Sequence, residues 1–202
     1  SFEYIYKGEK LLCNCGYFQN FKKKLNLLSK STAAHNNLVI NNHSACSFNT
    51  KSNKKSYLSN FIKTSNKNIV FEKNFWSIKS SHDGYAKKYG ITHERIINFY
   101  PESFKIIGTE RLIGKKKKNA VPFDIRFHFL PTTKLTKTQD DKTILIELVN
   151  SGWKFSTNIG TINIESGLYF GNKNKSEDNQ NICISGYSNK DDQDIKWEFI
   201  KI

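Results

Sequence analysis

Residues 123–129 read Phe-Asp-Ile-Arg-Phe-His-Phe, a strict alternation that constrains the fold more than any other stretch. Successive side chains of a strand point to opposite faces of the sheet. Ile125, Phe127 and Phe129 therefore share one face, and Asp124, Arg126 and His128 the other. A helix would scatter the same residues around its surface. A sheet containing this strand buries one face and gives the other an acid, a guanidinium and an imidazole.

The period of two returns along the chain. In Thr92–Tyr100, His93 and Arg95 fall on one face beside Ile97 and Phe99. Strands are expected at Ile69–Lys79, Tyr85–Tyr89, His93–Tyr100, Phe104–Ile113, Phe123–Leu130, Thr143–Leu148, Trp153–Thr157, Ile162–Glu165, Gly167–Phe170, Asn181–Tyr187 and Ile195–Ile202. Phe2–Tyr6 and Leu11–Cys15 flank a Gly-containing turn and read as a hairpin. Gly16–Lys30 reads as a loop or short helix, and 41–68, rich in Ser, Asn and Lys, as an irregular loop. Helical periodicity never holds for two turns. Short strands broken by Gly, Asn and Asp turns predict an all-β fold, an antiparallel β-sandwich spanning residues 1–202.

The net charge of +14 favours polyanionic partners. Lysine is spread along the chain rather than gathered into the stripe of a nucleic-acid domain, so no nucleic-acid partner is expected. The one dense run, Lys115–Lys118, reads as a solvated loop tip. No run of about 18 apolar residues exists to span a membrane. The chain contains no methionine and opens directly on a strand-like Ser1-Phe2-Glu3-Tyr4. That predicts no signal peptide in this stretch and a natural start upstream. Cys13 and Cys15 lack the spacing of a zinc pair, and Cys46 and Cys183 stand alone, so free thiols are expected.

Arg95, Arg111 and Arg126 are the only arginines among many lysines. An arginine within a His-x-Arg or Arg-x-His pattern offers a planar fork that grips carboxylates and sulfates at two points. His93, Arg95, Arg126 and His128 are therefore candidate contacts to an acidic ligand, and His82 and Tyr85, on either side of the Asp83-Gly84 turn, are further candidates. Arg126 and His128 are expected to share a sheet face with His93 or Arg95 as one polar strip. Trp76, Trp153 and Trp197 are candidate platforms for sugar rings, which would suit a non-catalytic glycan-binding module. His43 reads as a surface residue.

An ordered set of short motifs runs through nearly the whole chain. Near the start lie Asn14-Cys15-Gly16 and Thr32-Ala33-Ala34-His35-Asn36. The middle holds Ser81-His82-Asp83-Gly84-Tyr85, His93-x-Arg95, Gly108-x-Glu110-Arg111-Leu112 and Arg126-Phe127-His128-Phe129-x-Pro131. Asn150-Ser151-Gly152-Trp153, Ser185-Gly186 and Trp197-x-Phe199 complete the set. In this it resembles the C-terminal β-domain of the heparinase II/III-like polysaccharide lyases. The resemblance implies stacked antiparallel sheets that follow an α/α-toroid domain, here missing. It also implies an acidic, uronate-containing polysaccharide as partner and a periplasmic or cell-envelope location. Such lyases cleave by β-elimination, which needs a base, an acid and a group that neutralises the uronate carboxylate. The main base and acid belong to the toroid, so this part alone is expected to be inactive. His35 matches a histidine that helps form a metal site in the family and is the one candidate catalytic residue. The companion aspartate falls at Asn14, a weaker ligand for a zinc-type divalent ion, so no metal ligand is assigned here. Such a metal is expected, if at all, in the full-length protein.

Overall fold

A computed structural model describes residues 1–19, 24–49, 57–58, 61–114, 120–171, 175–189 and 191–202. The chain is an all-β sandwich, 60% strand and 7% helix. It starts with β1 (Tyr4–Tyr6), β2 (Glu9–Leu12), a short helix α1 (Lys24–Leu28), a 3-10 turn (Thr32–Ala34) and β3 (Leu38–Ile40). The brief pair β4 (Phe48–Asn49) and β5 (Tyr57–Leu58) follows. Next come β6 (Thr64–Glu72), β7 (Phe75–Tyr85), the one-turn helix α2 (Ala86–Tyr89), β8 (Ile91–Tyr100) and β9 (Lys105–Ile113). The chain continues through β10 (Pro122–His128), β11 (Lys134–Lys137), β12 (Thr143–Glu147) and β13 (Gly152–Thr157). It ends with β14 (Thr161–Tyr169), β15 (Glu177–Tyr187) and β16 (Gln193–Lys201).

Two antiparallel sheets face each other. The large one has eight strands in the order β11-β12-β13-β16-β9-β8-β7-β6; the small one has four, β14-β15-β10-β3. The alternation at 123–129 sets their packing. Phe127 on β10 meets Phe155, Trp197 and Phe199 of the large sheet at centroid distances of 5.3, 4.8 and 5.2 Å. Edge and tilted geometries of this kind suit aromatic quadrupoles. The β1–β2 hairpin turns at Lys7 and Gly8, both at positive φ (45° and 84°), the conformation that two-residue hairpin loops favour. Its Tyr4 and Tyr6 rings sit edge-on to Trp153 at 5.8 and 5.5 Å.

Several expected elements are redrawn. Ile69–Lys79 is not one strand but the two arms of a hairpin, since the chain reverses at Lys73-Asn74 and pairs Ile69 with Ile78 and Phe71 with Trp76. Tyr85–Tyr89 is not a strand: Ala86–Tyr89 forms a helical turn that Gly90, at φ 68°, closes by donating its N–H to the Ala86 carbonyl. That is the usual stop for a helix end. The two strands expected within 162–170 are one, β14, with Gly167 opposite Asn179. Within 41–68, read as a partly irregular loop, Phe48–Asn49 pairs with Tyr57–Leu58 and Thr64–Asn68 belong to β6. β11, short and flanked by lysines, was not expected. The lysine run 115–118 lies outside the described residues.

Candidate functional site

A buried polar network on the inner face of the large sheet organises the site. On β8, His93 and Arg95 lie opposite Leu112 and Glu110 of β9. Glu110 is fully buried. Its Oε2 accepts from His93 Nε2 at 2.6 Å, and its Oε1 accepts from Arg95 Nε at 2.7 Å and from Trp197 Nε1 at 2.9 Å. Burial alone would raise its pKa; the Arg95 charge, then the His93 and Trp197 bonds, reverse this and hold the carboxyl down at about 2. Gly108 makes the arrangement fit, because a Cβ there would lie 1.9 Å from the Trp197 ring.

The network reaches the surface through His82. Gly84 N–H donates to His82 Nδ1 at 3.2 Å, and His82 Nε2 meets His93 Nδ1 at 3.1 Å. A neutral imidazole carries one N–H. With Nδ1 accepting, His82 holds its proton on Nε2 and donates it to His93, which in turn donates from Nε2 to Glu110. Burial, ahead of the Arg95 charge, pushes the His82 pKa down to about 4.

His82 opens onto a hollow of about 300 Å³ that it shares with Ser1, Lys30, Thr32, His35 and Cys46. His35 stands at the end of the Thr32–Ala34 turn. Burial lowers its pKa, so the ring is neutral at pH 7. Behind the hollow, Asn36 ties the layers together. Its Nδ2 donates to the Phe2 and Cys13 carbonyls, its Oδ1 accepts the His128 backbone N–H, and its carbonyl accepts from Arg95 Nη1. Arg95 Nη2 is buried without a partner among the described residues.

The expected polar strip does not exist. β8 belongs to the large sheet and β10 to the small one. Because Phe127 points inward between the sheets, Arg126 and His128 face away from His93 and Arg95. Arg126 instead binds Glu165 at 2.9 Å and Asp124 at 3.3 Å. Three candidate contacts lie inside the domain. Tyr85, 1% exposed, donates to the Leu38 carbonyl at 2.9 Å, and burial raises its pKa. His93 has both nitrogens engaged, and His128 is 4% exposed. Direct contact between these side chains and a glycan requires those surroundings to open. His43, read as a surface residue, is exposed and hydrogen-bonded to Tyr89. Trp153 and Trp197 are buried and offer no platform, whereas Trp76 is 39% exposed.

The residues present do not fit the zinc-type ion that the resemblance suggests. Asn14 Oδ1 accepts the Asn36 N–H, while its own amide groups bind Glu3. Among the described residues, no three His, Cys, Asp or Glu side chains converge on one point. One imidazole and one committed amide do not make a zinc site. The four cysteines are free, as expected. Glu110 and Asn36 carry the architecture of the site although no role was read for either. The signal for Glu110 was an acid in phase with Ile106 and Leu112. Asn36 gave none, because its partners are remote in sequence.

Comparison with known proteins places this geometry. No curated protein matches the chain. Among solved structures, heparan sulfate lyase HepC from Pedobacter heparinus superposes with a TM-score of 0.79 at 12% identity, over 98% of this chain and 29% of that one. A heparinase III gene product superposes at 0.76 and 14% identity, over 99% of this chain and 29% of the other. A further heparinase III gives 0.68 at 14% identity, over 99% and 28%. The chain thus spans less than a third of these proteins. A family model described as heparinase II/III-like, C-terminal, matches residues 1–198. With that match running from the Asn14–Asn36 corner to the Trp197–Glu110 contact, the chain belongs to the heparinase II/III-like C-terminal family.

Proposed function

We propose that this chain is the β-sandwich part of a polysaccharide lyase that cleaves an acidic, uronate-containing glycan by β-elimination in the periplasm or cell envelope. The observation that carries this reading is the hollow where a neutral His35 stands beside His82, held by the His93–Glu110–Arg95 network. In the reaction a base removes the proton at C5, and its electron pair forms the C4–C5 double bond. The bond from C4 to the glycosidic oxygen breaks, and an acid protonates the departing oxygen. A neutral, half-buried imidazole is suited to proton transfer or to orienting a sugar hydroxyl. Arg95, buried with one N–H group unpartnered, supplies positive potential on the uronate side. His82 contributes through its position, and Tyr85 through the strand end that it anchors. The remaining catalytic groups belong to the part of such lyases that this chain does not span.

The test compares residues 1–202 with a longer protein that also carries a toroid, on a panel of uronate glycans, following ultraviolet absorbance of the unsaturated product. The longer protein should turn over and the chain alone should not. In the longer protein, His35→Ala should lower kcat by about a hundredfold, the scale of a lost acid–base group, with thermal unfolding little changed. Strong activity from residues 1–202 would put the chemistry in the wrong domain. An inactive longer protein would remove the lyase reading. A second reading, a non-catalytic glycan-binding module, rests on Trp76 and Phe71, exposed on the β6–β7 hairpin and stacked at 4.9 Å. Glycan retention abolished by Trp76→Ala, without cleavage, would favour it.

A further inference from the structure

The hollow that His35 and His82 share is also lined by Lys30 and Asn37. Lys30 and His35 bracket the Thr32–Ala34 turn. The Lys30 N–H donates to the Leu27 carbonyl and the His35 N–H to the Thr32 carbonyl, both at 3.2 Å, so the backbone fixes both residues. The Lys30 ammonium lies over the rings of Tyr17 and Phe48, 5.7 and 5.9 Å from their centroids. Ring faces attract a cation through their quadrupoles. Unlike a carboxylate, they carry no net charge and leave that of the ammonium uncancelled. Asn37 accepts the Leu38 N–H on its Oδ1 at 2.9 Å, which leaves the amide N–H groups to donate.

The charge in this hollow has one sign. Among the described residues that line it, Lys30 has the one charged side chain, and there is no carboxylate. Its two imidazoles are neutral at pH 7. A cavity lined by one sign of charge concentrates ligands of the other, and a volume of about 300 Å³ matches the small end of ligand pockets. A neutral imidazole has one nitrogen with a lone pair, which suits a hydroxyl or an acidic C–H and repels an anion. We propose that Lys30 is the specificity-determining residue of this hollow. With the Asn37 amide it binds an anionic substituent of the sugar, carboxylate or sulfate, and so turns the uncharged side of the ring toward His35. An ammonium is a point charge without the planar fork of arginine, so the site reads the charge of the substituent rather than its shape. This inference rests on the lyase reading for the class of ligand, a glycan, and not for any bond that is broken.

The test titrates three methyl glycosides that differ in one substituent into the longer protein: methyl glucuronide, methyl glucoside 6-sulfate and methyl glucoside. None has a glycosidic oxygen at C4 to eliminate, so binding is read without turnover. At least one of the two anions should bind about tenfold more tightly than methyl glucoside, the scale of one charge-assisted contact, and which of them does so identifies the substituent. Lys30→Gln should remove that gap and leave both the affinity for methyl glucoside and the melting temperature unchanged. Lys30→Arg, which keeps the charge, should restore the gap. Equal binding of all three glycosides, no binding of either anion, or a gap that survives Lys30→Gln overturns the proposal. Because no cleavage is measured, a longer protein that fails to cleave removes the lyase reading and leaves this result standing, and an active one whose gap ignores Lys30 does the reverse.

Discussion

The domain holds two clusters that each join an arginine, a histidine and acid, and they differ in solvation. On the inner face of the large sheet, the side chains of Glu110, His93 and Arg95 are 0%, 2% and 11% exposed. On the outer face of the small sheet, those of Arg126, Asp124 and Glu165 are 17%, 23% and 37% exposed. Similar chemistry therefore has different consequences. In the first, each polar group is a condition for burying the others, so the cluster positions β8 and β9 and through them His82. In the second, water shares the charges, and the cluster is free to present a surface.

Removing one acid from each cluster tests this most severely. Glu110→Ala should cost about 3–5 kcal/mol, because it strands a buried guanidinium. Glu165→Ala should cost at most about 1 kcal/mol, as for a half-exposed pair. Chemical denaturation of both variants decides, and equal losses would erase the distinction.

Acid should then act on a histidine from each side. His82 and His128 have folded pKa values of about 4, below the unfolded value of about 6.5. The unfolded chain binds more protons between those limits, so stability is full above about pH 6.5 and falls as pH drops toward 4, by on the order of 3 kcal/mol for each ring. Protonating His82 also breaks its bond from Gly84. Denaturation midpoints measured from pH 7 to pH 4 should show the slope, and His82→Gln should flatten part of it. A flat profile in the parent protein would mean that the rings are not buried neutral.

A smaller effect sharpens the account of the inner cluster. Gly108→Ala places a methyl group within the Trp197 ring's space and should cost about 1–3 kcal/mol by overpacking. It should also shift the indole N–H resonance as the bond to Glu110 loosens. An unchanged indole signal would show that Trp197 has room to move.

The face assignments were legible because alternation at 123–129 and 92–100 allows one division of side chains. The sheet assignments were not. Alternation says which residues share a face of a strand, but not which sheet receives the strand, so Arg126 and His93 were joined although Phe127 turns their strands' shared interior between them. The 69–79 segment failed for a different reason: apolar residues flank the polar Glu72-Lys73-Asn74 on both sides, and the stretch reads as one strand through the reversal between them. His35 and His82 were both legible as candidates from their motifs, yet their shared hollow depends on a turn and a strand remote in sequence. Glu110 could have been found as an acid in an apolar phase; Asn36 could not, because its value lies in joining four separate segments.

The position of β16 bears on how the chain is made. It follows the other described strands in sequence, yet it lies between β13 and β9 and bonds to both. Until it leaves the ribosome, β6–β9 and β11–β13 are separate pieces, each with an unpaired strand edge and an uncovered apolar face. Trp197 and Phe199, which close the space over Phe127, arrive with it. Until then these segments are two incomplete sheets, open to wrong pairing and to chaperones, and β16 turns them into one.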